Sequence, residues 1–255
     1  MAQAAITRRV LRNLRRPYYL LRDDPADGLR RIALHPYYWL KHLPDRRRYR
    51  RAHAQRLAAD RAFDQRFGVD TAAEVAITDI DAPVESWAHA THYTALAEHD
   101  FDHAISFVRD DVSAYTFVDI GCGKGKAAML AARRPFARVV GVEYAPELAA
   151  VALRNITRFR ETCDDIRAGE IIIECADART YELPAAPLVL MLVNPFDHVI
   201  MEPFTRALAA WYERGHHPLW VIYILPHQRA LFDALPFLEL AHIEDGLAVY
   251  RTPAS

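Results

Sequence analysis

From Tyr115 to the C-terminus, continuously apolar runs alternate with segments of helical periodicity, and this alternation constrains the fold more than any other feature. Runs such as Leu188–Val193 and Leu219–Leu225 predict strands that are buried on both faces. The segments between the runs predict amphipathic helices, because their apolar residues recur three or four positions apart. Strands that alternate with such helices form a mostly parallel sheet covered on both sides.

Right-handed crossovers between these strands predict a doubly wound, Rossmann-like α/β fold. The predicted parallel strands are Tyr115–Ile120, Arg138–Glu143, Glu170–Glu174, Leu188–Val193 and Leu219–Leu225. The predicted helices of this region are Lys126–Arg134, Pro146–Arg160, Pro203–Arg214 and Arg229–Leu235. Phe237–Ile243 and Ala248–Arg251, joined at Asp245-Gly246, predict a terminal antiparallel hairpin. The expected architecture is therefore a mostly parallel seven-stranded sheet that ends in a hairpin.

The N-terminal part of the chain differs in charge from the rest. Residues 1–51 hold 14 Lys and Arg against 4 Asp, a net charge of +10, whereas the whole chain has a net charge of −1. We expect a basic helical extension at 1–61, a connector with a pre-sheet helix (Ala97–Val108) at 62–114, and the ligand-binding domain at 115–255. The basic segment is compatible with contact to anionic membrane or RNA, with a targeting sequence, or with packing on the domain.

The turn after the first predicted strand concentrates glycine. The chain has only nine glycines, and three of them, Gly121, Gly123 and Gly125, fall within Asp119–Lys126. Glycine lets the backbone turn tightly and approach a ligand without a Cβ in the way. Ligands of open α/β sheets bind at the carboxyl ends of the strands, where this turn lies. Its G-x-G-x-G spacing differs from the G-x-G-x-x-G fingerprint of dinucleotide-binding loops, which disfavours an NAD-dependent oxidoreductase.

Three polar residues follow later strand ends. Glu143 ends the second strand, eighteen residues after Gly125, and a carboxylate there can accept hydrogen bonds from two ribose hydroxyls. Asp177 follows the third strand, at a position that can meet the amino group of adenine. Asn194 follows the fourth strand, within Asn194-Pro195-Phe196. The carboxyl ends of parallel strands share one edge of a sheet, so these residues predict one site together with the glycine loop.

Together these residues resemble motifs I to IV of the class I methyltransferases, which use S-adenosylmethionine (SAM). The resemblance covers roughly residues 90–252. Phe67–Thr71, taken with the loop, also resembles a poorly characterised bacterial group that is distantly similar to Dot1-like lysine methyltransferases. The resemblance implies SAM as the cofactor, which suits a loop without the phosphate-binding spacing. The residues that it implies for cofactor binding are Asp119, Gly121, Cys122, Gly123, Gly125, Glu143, Asp177 and Asn194.

The fourth motif bears on the methyl acceptor. Relatives that methylate amino groups often carry Asn/Asp-Pro-Pro-Tyr/Phe, whose polar side chain and proline carbonyl hold the target nitrogen, whereas this chain has one proline. The resemblance implies N-methylation of a protein or small molecule, with Asn194 as a catalytic candidate. Tyr93 is a second one, because an aromatic residue of this region often covers the cofactor in the family, and His92 could act as a base. The alternative is a non-catalytic SAM-binding protein that docks on membrane or RNA through its basic arm.

Neither a metal site nor a membrane span is expected. His99 and His103 are four residues apart, but no H-E-x-x-H arrangement exists. The longest apolar runs, Pro187–Val193 and Leu219–Pro226, fall far short of the ~20 residues that cross a bilayer. The three cysteines form no disulfide framework, which predicts a reducing compartment, and the expected location is the cytoplasm.

Overall fold

The computed structural model describes residues 43–72, 95–193 and 196–253, and the side chains from Ala54 onward. The chain forms two compact units, Met1–Arg56 and Leu57–Ser255. In the first unit, the described residues 43–56 are helical. Residues 1–42 of the expected basic helical extension lie outside the described residues. The domain limits expected from the sequence stay predictions.

Seven strands of the described chain form one sheet in the order β3-β2-β1-β4-β5-β7-β6. The strands are β1 (Thr116–Ile120), β2 (Arg138–Glu143), β3 (Ile171–Cys175), β4 (Leu188–Val193), β5 (Leu219–Ile224), β6 (Glu239–Glu244) and β7 (Leu247–Arg251). The pairs from β3 to β5 are parallel, and β7 pairs antiparallel with both β5 and β6. This confirms the predicted seven-stranded, Rossmann-like architecture with its terminal hairpin.

The helices cover both faces of this sheet. They are α1 (Leu43–Phe67), α2 (Glu98–Ile105), α3 (Lys126–Ala132), α4 (Pro146–Thr162), α5 (His198–Gly215) and α6 (Arg229–Asp233). Alternate residues of β1 enter different cores: Phe117 packs with residues of α1 to α4, whereas Val118 packs with residues of α5 and α6. The strands are therefore buried on both faces, which is why their sequences are continuously apolar. Among the described helices, none is long and apolar enough to span a bilayer.

Two helices differ from the sequence prediction by five or six residues at one end. Helix α5 begins at His198, not at Pro203, because the Asp197 side chain accepts a hydrogen bond from the Val199 N–H at 2.9 Å and starts the helix. Pro203 is accommodated in its second turn. Helix α1 continues to Phe67, six residues past the predicted extension, because Phe67 is buried against Phe159 of α4.

The chain order reverses at β1, which lies between β2 and β4. Gly121 follows the end of β1, and Glu143 is the last residue of β2. Ile120 pairs with Val142 of β2 and with Leu192 of β4, so the carboxyl ends of the three strands lie side by side. This switch point is where open α/β sheets bind ligands.

Candidate functional site

The backbone of the glycine loop is left-handed at each of its three glycines. The φ angles of Gly121, Gly123 and Gly125 are 77°, 54° and 82°. The N–H groups of Gly121 and Cys122 both donate to the Val142 carbonyl, at 2.9 and 3.0 Å, and the Gly125 N–H donates to the Cys122 carbonyl at 2.8 Å. Residues with a Cβ adopt this left-handed conformation only at a cost in free energy, so the shape of the loop explains its glycine spacing.

Gly125 is also crowded by helix α4. A Cβ added to it would lie 3.3 Å from the Cβ of Ala152. Its carbonyl accepts the Met129 N–H at 3.0 Å, so Gly125 starts helix α3 directly from the loop. A side chain here would press α3 and α4 apart as well as strain the backbone.

The Cys122 side chain points into the protein and packs against the backbone of β2. A Cβ on Gly141 would lie 2.9 Å from the Cys122 sulfur, so this glycine provides the space for the thiol. Burial, with the negative charges of Asp119 and Glu143, raises the pKa of the Cys122 thiol well above its usual value. Burial therefore disfavours the thiolate, and the Cys122 backbone helps to shape the loop through its N–H bond to the Val142 carbonyl.

Glu143 ties the end of β2 to the glycine loop. Its Oε2 accepts the Gly123 N–H at 2.8 Å, and its Oε1 accepts the Ala145 N–H at 2.9 Å. Burial raises the pKa of Glu143, and these N–H groups oppose the shift. Each carboxylate oxygen has a second lone pair, so the group can accept further hydrogen bonds from a ligand.

Asp119 adds a second buried carboxyl group to the site. Only 2 % of the residue is exposed, and burial, followed by the charge of Glu143, raises its pKa to about 7. Two carboxyl groups in a region of low dielectric favour a positively charged ligand and disfavour a phosphate.

The two lysines of the loop are committed to carboxylates of the preceding segment. Lys124 Nζ donates to Asp70 Oδ1 at 2.9 Å, and Lys126 Nζ donates to Asp60 Oδ1. The side chains of Lys124 and Lys126 are 4 % and 3 % exposed. A phosphate-binding loop needs a lysine that reaches the phosphates, and here both lysines are held elsewhere.

The family match of this chain is consistent with the charges of the site, which favour a positively charged ligand without phosphate. Residues 117–214, less than half of the chain, match the family model described as a methyltransferase domain. The chain contains a methyltransferase domain. It is a SAM-dependent enzyme, and the site fits SAM, whose sulfonium is positive and which has no phosphate. The resemblance to Dot1-like lysine methyltransferases remains a prediction.

Similar solved structures include other methyltransferases. They include precorrin-6y C5,15-methyltransferase from Geobacter metallireducens (12 % identity, TM-score 0.45, covering 63 % of this chain and 90 % of that one). An RNA methyltransferase from Salinibacter ruber in complex with S-adenosyl-L-homocysteine has 18 % identity and a TM-score of 0.41, covering 62 % and 92 %. Magnesium protoporphyrin IX methyltransferase from Synechocystis, with bound SAM, has 13 % identity and a TM-score of 0.42, covering 62 % and 79 %. No curated protein sequence matches the chain.

Asp177, predicted to meet the adenine of SAM, follows β3 at the same edge of the sheet. Its carboxylate accepts hydrogen bonds from the Arg179 guanidinium, at 2.5 to 3.1 Å, and from the Arg179 backbone N–H at 2.9 Å. These bonds hold the pKa of Asp177 below its usual value. The group is thus a fixed anion beside the site, and its role toward adenine stays a prediction.

Several other predicted site residues lie outside the described part of the chain. These are the catalytic candidates Asn194 and Tyr93 and the candidate base His92. Their neighbours in sequence are described: β4 ends at Val193, and Phe196 packs against the core under α5.

Both histidines of α2 lie beside carboxylates. His99 Nε2 lies 3.0 Å from Asp100 Oδ1, and His103 Nε2 lies 2.6 Å from Glu244 Oε1. Within the described ranges, no group of three or more His, Cys, Asp or Glu is arranged to hold a metal ion.

The segment that binds the side chains of the loop lysines was not predicted from the sequence. We call residues 57–72 the bracket. Its Asp60 and Asp70 receive the two loop lysines, and its Asp64 accepts the backbone N–H groups of Thr71 and Ala72 at 2.8 to 3.0 Å. Within the bracket, only Phe67–Thr71 stood out in the sequence, through its family resemblance. Nothing in the local sequence indicates that Asp60 and Asp70 bind the loop lysines.

Proposed function

We propose that this enzyme transfers the methyl group of SAM to a nitrogen atom of a protein or small-molecule acceptor. The observation that carries the proposal is the glycine loop, held by Glu143 at the switch point within a methyltransferase domain. The preference for nitrogen rests on Asn194-Pro195-Phe196, directly after β4. Residues Leu188–Leu192 of β4 pair with β1, so β4 ends at the same edge of the sheet as the glycine loop.

Methyl transfer from SAM requires little covalent chemistry from the protein itself. Bound SAM supplies a methyl group activated by a positive sulfonium, and the chain must place an acceptor in line with it and exclude water. The loop backbone and Glu143 hold the donor, and the Asp119 carboxylate, in its ionised form, favours the cationic end of SAM. Asn194 orients the acceptor nitrogen, and Tyr93 covers the cofactor. An acceptor amine that arrives protonated needs a base, for which His92 is the candidate.

Isothermal titration of the full chain with SAM and S-adenosylhomocysteine tests the donor half. We expect both ligands to bind, and we expect Glu143→Ala to weaken binding, because the variant loses the carboxylate that meets Gly123 and the ribose. Thr157→Ala, on the exposed side of α4, is the control, since the Thr157 hydroxyl donates to the Leu153 carbonyl of its own helix. Unchanged affinity in Glu143→Ala would remove the ribose role.

Asn194→Ala tests the acceptor half. If Asn194 holds the acceptor, the variant lowers turnover much more than SAM affinity. Equal losses would instead indicate that Asn194 only shapes the cofactor pocket. The acceptor class is found by incubating the chain with labelled SAM and cell lysate, and separating protein, RNA and small molecules. Label that enters only RNA contradicts the proposal.

A second candidate function rests on the charge of residues 1–51, which is net +10. In this reading the chain binds SAM without transferring methyl, and its basic arm docks on anionic membrane or RNA. Deletion of residues 1–51 leaves the second unit, Leu57–Ser255, whole. Loss of liposome or RNA binding in that variant supports the arm role, and detectable methyl transfer by the full chain rejects the non-catalytic reading. A cytoplasmic location is part of the main proposal.

A further inference from the structure

Asn155 is a buried amide in the middle of the apolar face of α4. The residue is 4 % exposed and lies between Ala152 and Ile156, both of which are buried. An amide in such a place costs free energy unless its donors and acceptor find partners. The partners of Asn155 lie outside its own helix, in two segments far away in the sequence.

Two of its hydrogen bonds are made to the backbone of a single residue of the bracket. Asn155 Oδ1 accepts the Asp70 N–H at 2.9 Å, and Asn155 Nδ2 donates to the Asp70 carbonyl at 2.9 Å. The side chain therefore pairs with Asp70 as a neighbouring peptide group would, and this contact does not depend on the side chain at position 70.

The third hydrogen bond reaches the glycine loop. Asn155 Nδ2 also donates to the Lys124 carbonyl at 3.0 Å. Lys124 lies between Gly123 and Gly125, both with positive φ. Glycines have the widest choice of backbone conformations, so a peptide plane between two of them needs an external contact to hold it. Glu143 holds the loop at Gly123, and Asn155 holds it one residue later.

The Lys124 side chain closes the network into a ring. Its Nζ donates to Asp70 Oδ1, so Lys124 touches Asp70 directly and also through Asn155. The three residues come from the bracket, the loop and α4, and they are 31 to 85 residues apart in sequence. A ring of this kind fixes the loop relative to both supports, because no member can move without breaking bonds to the other two.

We propose that Asn155 is a positioning residue for SAM, which acts by holding the glycine loop in its binding conformation before the cofactor arrives. Ordering a loop in advance lowers the conformational cost of binding, so its loss appears in affinity. The inference rests on the proposed function, because it assumes that the loop binds SAM. It extends that function to Asp70 and the bracket, which contact the loop directly through its lysines and also through Asn155.

The test compares Asn155→Ala with Ile156→Ala in the full chain. Ile156 is the next residue of α4 and is buried, so its truncation destabilises the same helix but removes no hydrogen bond to the loop. Thermal unfolding without ligand measures the destabilisation, and titration with SAM well below both melting temperatures measures affinity. We expect Asn155→Ala to raise the Kd for SAM about tenfold, the equivalent of about one lost hydrogen bond. Ile156→Ala should lower the melting temperature and leave the Kd unchanged.

Two results would overturn the inference while the wild type binds SAM. One is an unchanged Kd in Asn155→Ala, and the other is a rise in Kd that follows the loss of stability equally in both variants. Asn155→Ser keeps a polar group in the same space but does not reach Lys124, and it replaces the alanine variant if that one does not fold. Failure of the wild type to bind SAM removes the proposed function first, and the inference with it.

Discussion

Gly125 and Gly246 form a natural pair for testing the physical account of the loop. Their φ angles are 82° and 84°, so an alanine at either position meets the same backbone strain. The two sites differ in the space around them. A Cβ on Gly125 would lie 3.3 Å from the Ala152 Cβ. A Cβ on Gly246, in the turn between β6 and β7, would have Leu225 Cδ2, at 3.8 Å, as its nearest neighbour among the described residues.

The magnitudes follow from these two differences. The left-handed conformation costs an L-residue about 1–2 kcal/mol, and we expect this from both substitutions. Gly125→Ala adds the cost of forcing α3 and α4 apart, about 1–3 kcal/mol for a crowded site. The total is about 2–4 kcal/mol for Gly125→Ala against about 1–2 kcal/mol for Gly246→Ala. Each kcal/mol corresponds to about 2–4 °C in Tm for a domain of this size.

Urea unfolding of both variants, with SAM titration alongside, measures the prediction. Gly246→Ala should bind SAM as the wild type does, because its turn lies at the edge hairpin. Gly125→Ala should be the less stable variant and should bind SAM more weakly, since its loop can no longer keep its shape. Equal stability of the two variants would contradict the effect assigned to crowding at Gly125. Normal SAM affinity in Gly125→Ala would contradict the dependence of SAM binding on the shape of the loop.

Three further predictions concern the buried charges around the loop. The raised pKa of Asp119, about 7, means that the folded state keeps this proton while the unfolded state releases it near 3.8, so wild-type stability falls as pH rises between these values. Asp119→Asn lacks this loss, so its stability relative to wild type should rise by up to about 4 kcal/mol from pH 4 to pH 7 and then level off, as measured by urea unfolding at each pH. Lys126→Met leaves Asp60 buried without its lysine and should cost about 3–5 kcal/mol, and adding Asp60→Leu should recover most of it; no recovery would mean that the pair is not the cause. Glu143→Gln keeps one acceptor oxygen for Gly123 or Ala145 but loses the other, and it should bind SAM more weakly than wild type but more tightly than Glu143→Ala, as titration will show.

The strands were the most predictable part of the fold. The predicted bounds of β2 and β4 are those of the structure, and β1 differs by one residue. A strand buried on both faces is apolar throughout, so its ends are visible where charged residues or glycines begin. The start of α5 was less predictable, because a proline such as Pro203 is common in the first turn of a helix. The helix in fact begins five residues earlier, after the Asp197 cap, and its first turn buries Ile200 and Met201.

The candidate site was predictable as far as it depends on strand ends. The glycine loop and Glu143 follow from the rule that parallel strands bring their carboxyl ends to one edge, and the structure joins them through the Gly123 N–H. The roles of Asp177, Asn194 and Tyr93 stay predictions. The bracket was not predictable, because Asp60 and Asp70 look like solvated charges in a polar, helical stretch.

The sheet and the place of the loop could be predicted because both depend on local signals: apolar runs, helix periodicity and closely spaced glycines. The support of the loop depends instead on tertiary contacts. They join Lys124 and Lys126 to aspartates 54 and 66 residues earlier, and they place Asn155 between Asp70 and Lys124. Such contacts arise when folding brings distant segments together and every buried polar group must find a partner, a requirement that leaves no periodic mark in the chain.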